Sequence, residues 1–125
     1  MTTRVAINGF GRIGRCAFKI AFGRQDVEVV AVNDLTDTAT LAHLLQHDSS
    51  YGTYAKKVSS DETGLVVDGQ HIDVLSEADP SQLPWREKNI DVVIECTGRF
   101  VDPAKARAHL DAGARKVVLS APAKG

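Results

Sequence analysis

The sequence predicts an α/β protein in which a doubly wound, mostly parallel sheet carries helices on both faces. Short apolar runs alternate with stretches of helical periodicity along most of the 125 residues. The first apolar run leads directly into Gly-x-Gly-x-x-Gly, which begins at Gly9. The middle of the chain departs from this alternation. There Asp68-Gly69, placed between two apolar runs, predicts an antiparallel hairpin inserted into the parallel plan.

The first half of the chain predicts two strand–helix units. Strands are expected at 4–8 and 28–33, each followed by a helix, the second of which covers 38–46. Gly23 is placed to end the first helix. Apolar residues recur at helical spacing in both helices, and we expect them to face the core: Ile13, Cys16, Ala17, Ile20 and Ala21 in the first, and Leu41, Leu44 and Leu45 in the second.

The second half begins with the inserted hairpin and then returns to the parallel pattern. Asp102 is a good N-cap, Pro103 fits the first helical position, and Gly113 closes that helix. Right-handed crossovers would place the helices on both faces of the sheet. The strands expected in this half are 56–60, 64–68 and 71–75 in the insertion, then 91–95 and 116–119.

Composition excludes several classes of function. The net charge of −1 offers no broad basic field, so we expect no nucleic-acid partner. The longest apolar runs are only a few residues long, which predicts neither a membrane span nor a secretory signal. Two cysteines without such a signal favour a reducing compartment, and we expect a cytoplasmic protein.

The glycine motif predicts a phosphate-binding turn. The chain turns sharply on Gly9, Gly11 leaves room for a pyrophosphate to approach the backbone, and Gly14 lets the helix pack close to the strand. An acidic residue, Asp34, follows 20 positions after Gly14, as a dinucleotide fingerprint requires. Arg15 could neutralise phosphate charge, bond local carbonyl groups or pair with an acid, and the sequence leaves these roles open.

Asp34 ends the second apolar run, which predicts that it lies beside the glycine turn. Its carboxylate could accept hydrogen bonds from the adenosine ribose and repel a 2′-phosphate. Two unit charges ~5 Å apart repel by roughly 3 kcal/mol, about a hundredfold in binding. The sequence therefore predicts NAD rather than NADP. The alternative is a turn or helix-capping aspartate, because 34–37 precede a predicted helix.

Ligands of doubly wound sheets bind outside the carboxyl ends of the strands. The turns expected there are 9–14, 33–34 and 96–100, with Ser120 after the last strand. Their convergence predicts one ligand site at this edge of the sheet.

Several of these segments resemble the phosphorylating, type I glyceraldehyde-3-phosphate dehydrogenase family. The octapeptide Asn-Gly-Phe-Gly-Arg-Ile-Gly-Arg at 8–15 and the pentapeptide Ser-Ala-Pro-Ala-Lys at 120–124 are both quite specific. The likeness covers nearly the whole chain in the family's order. It also includes 31–34, 47–49 with Gly52, Asp79-Pro80, Trp85, Glu95 with Thr97-Gly98, and Phe100.

The resemblance implies a Rossmann-type fold with NAD as cofactor, in a homotetrameric, cytosolic enzyme of glycolysis. That family oxidises glyceraldehyde 3-phosphate with NAD and inorganic phosphate to 1,3-bisphosphoglycerate. We expect cofactor binding by Gly9, Phe10, Gly11, Arg12 and Ile13 at the pyrophosphate, by Asp34 at the adenosine ribose, by Thr97 and Gly98 along the cleft, by Phe100 on the adenine side, and by Ser120 near the nicotinamide. Gly14 and Asn33 are expected to be cofactor-binding residues as well.

The family's nucleophile lies in a Ser-Cys-Thr-Thr-Asn motif that this sequence lacks, so we assign no catalytic residue. We expect 1–125 to form one NAD-binding domain, incomplete at its carboxyl-terminal end, truncated before the catalytic half and inactive alone. Two alternatives stay open: the cofactor domain of an erythrose-4-phosphate dehydrogenase, or a stand-alone nucleotide-binding module. Two positions depart from the family, since Ala78 replaces a common arginine and Cys96 a usual serine.

Other side chains with reactive groups are expected to have structural roles. Cys96 is expected to be a buried thiol at a tight turn, because no base adjoins it in the sequence. His43 and His47 have a spacing that can bind zinc, but a third ligand at a clear spacing is missing, so we expect no metal. Trp85 is expected to pack beneath a loop. No constellation is expected around the two remaining histidines, His71 and His109.

Overall fold

The computed structural model describes residues 2–47, 57–79, 82–96 and 103–119. Its strands and helices in chain order are β1 (Thr3–Asn8), α1 (Arg12–Phe22), β2 (Val27–Asn33), α2 (Thr38–Gln46), β3 (Val58–Ser60), β4 (Gly64–Val67), β5 (Gln70–Leu75), β6 (Val92–Glu95), α3 (Pro103–Asp111) and β7 (Lys116–Leu119).

Seven strands of the described chain form one sheet, in the order β3-β4-β5-β2-β1-β6-β7. The five strands from β5 to β7 are parallel to one another, whereas β3 and β4 add antiparallel pairings at one end. This arrangement confirms the predicted doubly wound, mostly parallel sheet with an antiparallel insertion. Because β5 pairs with β4 on one side and with β2 on the other, it joins the insertion to the parallel part.

The turn between β4 and β5 has the backbone conformation that its residues predict. Asp68 has a φ of 53° and Gly69 a φ of 83°. Two consecutive positive φ angles define the tight hairpin turn whose twist matches that of the flanking strands. The predicted hairpin is therefore confirmed.

Two apolar cores cover the two faces of the sheet, because successive side chains of a strand point to opposite faces. Ile7 lies in the core beneath α1 and α2, whereas its neighbour Ala6 lies in the other. The second core is closed by the 83–90 segment and by the residues after α3. Its buried members are Ala6, Ala31, Leu83, Trp85, Ile90, Val93 and Ala114.

The predicted inward face of α1 is confirmed at Ala21 and wrong at Ile13 and Ile20, which are exposed. The buried residues of the helix are Gly14, Phe18 and Ala21, while Ile13 is 40% exposed and Ile20 is 65% exposed. The reason is the close approach at Gly14, where an added Cβ would lie 2.1 Å from the Gly9 carbonyl oxygen. That contact sets the rotation of the helix, so the residues four and seven positions further on face the sheet.

In α2, Leu41 and Leu45 are buried as predicted, but the third buried residue is Ala42 and Leu44 is 38% exposed. The bounds of α2 and β7 agree with the prediction, and most other described elements differ by one or two residues at an end. Within the described residues, no helix has both the length and the apolar character needed to cross a bilayer.

Candidate functional site

The glycine turn follows β1 and is held by its own backbone. Gly9 has a φ of 96°, a conformation that favours glycine, and its N–H donates to the Asn33 carbonyl at 2.8 Å. Gly14 packs against Gly9 so closely that any larger residue would displace the turn. The turn is therefore fixed to the carboxyl ends of both β1 and β2.

The N-terminus of α1 presents backbone donors to open space. Gly11 is the N-cap residue, and no side chain of the described residues caps this end of the helix. Apart from Gly11 and its two chain neighbours, no described residue has an atom within 4 Å of where a Cβ on Gly11 would stand. Arg12 and Ile13, which begin the helix, are exposed. Uncapped N–H groups at a positive helix end form an anion-binding site.

Asp34 directly follows β2, and its carboxylate bonds to the glycine turn that follows the neighbouring strand β1. One carboxyl oxygen, Oδ2, accepts the N–H of Phe10 at 2.8 Å, and the other accepts the N–H of Thr36 at 2.9 Å. The bond to Thr36 is a turn interaction, so Asp34 has that role as well. The capping role suggested for Asp34 belongs to Asp37, which accepts the N–H of Thr40 at the start of α2.

Phe10 fixes the same turn to the core beneath α1. Its ring is buried and meets the ring of Phe18 edge-on, with 5.7 Å between centroids. Its carbonyl oxygen accepts from Nη1 of Arg15 at 3.1 Å. Of the roles left open for Arg15, the structure therefore shows the bond to a local carbonyl. Since the N–H of Phe10 is donated to Asp34, the turn and that carboxylate form one unit.

Beneath the turns lies a row of buried polar side chains that the sequence analysis partly missed. Asn8, Asn33 and Glu95 end β1, β2 and β6, and they are Cα partners in the strand register. Nδ2 of Asn33 donates to Oδ1 of Asn8 at 2.7 Å, and Nδ2 of Asn8 donates to Oε1 of Glu95 at 2.8 Å. The available signal was the recurrence of a polar residue at the end of three apolar runs, those of β1, β2 and β6.

His109 extends this row, so the expectation that it belongs to no constellation is wrong. Its Nε2 lies 2.6 Å from Oε1 of Glu95, and its Nδ1 accepts the indole N–H of Trp85 at 3.0 Å. Both His109 and Trp85 are fully buried, which confirms the packing role expected for Trp85. The sequence offered no signal for this pairing, because these residues are brought together only by the fold.

Three reactive side chains expected to have structural roles lie among the described residues, whereas four predicted cofactor residues do not. Cys96 is buried as expected, and its N–H donates to the Asn8 carbonyl at 2.7 Å. His43 and His47 are both exposed, with 4.8 Å between their ring centroids, and no metal-binding group of three ligands occurs among the described residues. Four predicted cofactor residues lie outside the described residues: Thr97, Gly98, Phe100 and Ser120.

Comparison with known proteins agrees with this geometry. Residues 3–103 match the family described as glyceraldehyde 3-phosphate dehydrogenase, NAD binding domain. The chain is 56% identical to the glyceraldehyde-3-phosphate dehydrogenase of Thermotoga maritima, over 98% of the chain and 37% of the relative. It is 54% identical to the enzyme of Mycoplasma pneumoniae, over 98% of the chain and 36% of the relative. It is also 54% identical to the enzyme of Geobacillus stearothermophilus, over 99% of the chain and 37% of the relative. The chain thus spans just over a third of the length of these relatives.

Proposed function

Because this chain belongs to the family of NAD-binding domains of glyceraldehyde 3-phosphate dehydrogenase, we propose that it binds NAD at the carboxyl edge of its sheet. The pyrophosphate lies against the glycine turn, and the adenosine ribose lies against Asp34. The residues present suit this cofactor, since an uncapped helix N-terminus with open space at Gly11 stands beside a carboxylate.

The contact between Phe10 and Asp34 carries this proposal. A 2.8 Å hydrogen bond joins the carboxylate to the turn that would hold the diphosphate. The ribose and the pyrophosphate are adjacent in a dinucleotide, so their two binding groups must be adjacent in the protein. Asp34 is half-buried, which leaves part of its surface accessible to ribose hydroxyls while its negative charge opposes a 2′-phosphate.

Individual residues have distinct roles in this proposal. Gly9 and Gly14 shape the turn, and Phe10 anchors it and places Asp34. The backbone N–H groups that begin α1, from Arg12 onward, bind the pyrophosphate across the space left open by Gly11. The other proposed contacts follow from the family resemblance: Ile13, Asn33, Thr97, Gly98, Phe100 and Ser120.

The wider assignment is that the chain supplies the cofactor half of a phosphorylating aldehyde dehydrogenase. NAD would supply the hydride acceptor for aldehyde oxidation, and the glycine turn with Asp34 would bind and orient it. The nucleophile motif expected for this reaction is absent from the 125 residues, so we propose that the chain alone is inactive. We propose a cytoplasmic location and a homotetrameric complete enzyme by the same resemblance.

Calorimetric titration of the chain with NAD and NADP tests cofactor binding. We expect NAD to bind more tightly than NADP by up to about a hundredfold, from the repulsion at Asp34. Asp34→Asn removes the charge, weakens NAD binding and narrows the gap between the two cofactors. Asp111→Asn is the matched control: this exposed residue ends α3, at the opposite edge of the sheet, and the substitution removes the same charge. Tighter binding of NADP than NAD by the unaltered chain would contradict the proposal.

A second assay tests the expected inactivity. The chain is incubated with glyceraldehyde 3-phosphate, phosphate and NAD, and absorbance at the NADH band is followed alongside acyl-phosphate formation. We expect neither product above the background without protein. Acyl phosphate formed by the purified chain would show that residues within it suffice for catalysis.

A further inference from the structure

We propose that Glu95 is a positioning residue for dinucleotide binding. It acts as the common acceptor of a buried hydrogen-bond network, defined here as Asn33, Asn8, Glu95, His109 and Trp85. This network holds the carboxyl ends of three strands in one arrangement before any ligand arrives. The inference rests on the proposed function, because it concerns how the same site is kept ready for NAD.

The network is a break in an otherwise apolar sheet face. Ala6 of β1, Ala31 of β2 and Val93 of β6 all belong to the second core. Two residues further along each strand, on the same face, the side chain becomes polar. All three of these polar residues are at least 95% buried. Polar groups removed from water in this way lower stability unless they bond one another.

The directions of the hydrogen bonds converge on Glu95. The indole of Trp85 can only donate, so Nδ1 of His109 accepts and its proton lies on Nε2. That proton points at Oε1 of Glu95, 2.6 Å away. From the opposite side, Nδ2 of Asn8 donates to the same oxygen at 2.8 Å. The carboxyl group therefore receives a donor from β1 and another from α3.

The far end of the network ties the loop after β5 to the same row. The amide of Asn33 exchanges two hydrogen bonds with the backbone of Glu77, its oxygen accepting and its nitrogen donating, each at 2.9 Å. With its bond to Asn8, the amide of Asn33 makes three hydrogen bonds. Its orientation is therefore determined, and slippage of β1 against β2 would break it.

Two strand-ending members of the network, Asn8 and Asn33, immediately precede a residue of the proposed site. Asn8 is followed by Gly9 and Asn33 by Asp34, and Glu95 is followed by Cys96, whose N–H donates to the Asn8 carbonyl at 2.7 Å. The side chains of the network are buried, with Asn8, Asn33 and Glu95 4–5% exposed and His109 and Trp85 0% exposed. Its contribution to binding is therefore indirect: it reduces the reorganisation that NAD binding would otherwise require.

A matched set of variants separates positioning from simple stability. Glu95→Leu removes the acceptor, whereas Glu95→Gln keeps an oxygen that can accept from both donors. Leu65→Ala removes a fully buried side chain from the first core and serves as a control for lost stability. For each variant, urea unfolding measures stability and calorimetry measures the Kd for NAD, corrected for the folded fraction.

We expect Glu95→Leu to raise the Kd about tenfold, as for the loss of one good hydrogen bond. Glu95→Gln and Leu65→Ala should bind NAD much as the unaltered chain does. A Glu95→Leu affinity equal to that of Leu65→Ala would overturn the proposal, as would Glu95→Gln binding as weakly as Glu95→Leu. If the unaltered chain and Leu65→Ala both fail to bind NAD, the proposed function itself is wrong.

Hydrogen exchange of the unaltered, ligand-free chain decides the matter even if Glu95→Leu does not fold. The amides of Gly9, Asp34 and Cys96 bond to strand carbonyls at 2.7 to 2.9 Å directly beside the network. A preorganised edge predicts exchange as slow as that of amides in the middle of β1. Exchange of these three amides about a hundredfold faster would show that the edge opens locally, and would overturn the proposal.

Discussion

Two histidine–carboxyl contacts in the described chain have the same chemistry and opposite surroundings. His109 and Glu95 lie 2.6 Å apart on the parallel side of the sheet, with side-chain exposures of 0% and 6%. His71 and Asp61 lie 3.4 Å apart in the antiparallel insertion, with exposures of 38% and 49%. The buried contact has a fixed direction, since the proton on Nε2 of His109 points at Glu95. In the exposed contact, water can replace either partner.

The surroundings of each pair explain the difference. Glu95 and His109 are bonded to Asn8 and Trp85, which are themselves buried. His71 instead lies 3.4 Å from a second exposed carboxylate, Asp73. The lesson is that residue type alone does not indicate whether a histidine–carboxyl pair matters. Burial and completed hydrogen bonding decide it.

The largest expected difference is between the two histidines. His109→Leu removes the acceptor of the buried Trp85 N–H and one of the donors to the buried Glu95 carboxyl group, so we expect a loss of about 3–5 kcal/mol in the free energy of unfolding. His71→Leu changes an exposed residue and should alter stability by about 0.5 kcal/mol or less. Urea unfolding followed by circular dichroism measures both. Equal losses would mean that burial does not separate the two pairs.

Gly14, in the proposed site, and Gly64, in the antiparallel insertion, allow a second comparison of the two regions, based on steric contacts. An added Cβ at Gly14 would lie 2.1 Å from the Gly9 carbonyl oxygen, and one at Gly64 would lie 2.1 Å from the Ile72 carbonyl oxygen. Replacement of either by alanine should destabilise the chain by about 1–3 kcal/mol, since the backbone must shift. Only Gly14→Ala should also weaken NAD binding, because Gly64 lies in the insertion. Calorimetry on the folded fraction of both variants tests this, and weakened binding by Gly64→Ala would contradict it.

A smaller effect is expected at the tip of the hairpin. Gly69 has a φ of 83°, and no described residue other than its two chain neighbours lies within 4 Å of where its Cβ would be. Gly69→Ala therefore introduces backbone strain without a clash, and we expect a loss of about 1–2 kcal/mol. Gly69→Asn, which tolerates this conformation better, should lose less. The thermal unfolding midpoint measures both variants, and NAD affinity should not change. A larger loss for asparagine than for alanine would rule out this explanation.

The smallest expected effect is the acid dependence of the exposed pair. Hydrogen bonds from the backbone N–H and the hydroxyl of Thr63 hold the pKa of Asp61 below its ordinary value, with His71 contributing less. A lowered pKa means that the folded state favours the ionised form. This stabilisation is present above the ordinary pKa of about 3.8 and is lost as pH falls through the lowered folded value.

The stability of Asp61→Asn should therefore fall less on acidification than that of the unaltered chain, because the titrating carboxyl is gone. The stability of His71→Gln should keep most of the acid dependence of the unaltered chain. Urea unfolding at several pH values between neutral and about pH 3 tests the pair. If His71→Gln abolished the same acid dependence, the histidine rather than the Thr63 turn would dominate the pKa of Asp61.

Local chemistry made much of the fold predictable. The bounds of α2 followed from its apolar spacing, and the hairpin followed from Asp68-Gly69, whose preference for positive φ is intrinsic. The proximity of Asp34 to the glycine turn was also predictable, because parallel neighbouring strands end at the same edge of a sheet. These features depend on residues close in sequence or on a general rule of topology.

The sequence by itself thus determined the order of the elements, the hairpin and the adjacency of Asp34 to the glycine turn. The tertiary structure alone decided which face of α1 is buried and which partner each buried polar group has. Helical periodicity allows several rotations of α1, and the backbone contact between Gly14 and Gly9 selects one. His109 and Glu95 meet because α3 packs against the sheet. Hydrogen bonding in a dry interior depends on positions in space, which spacing along the chain does not specify.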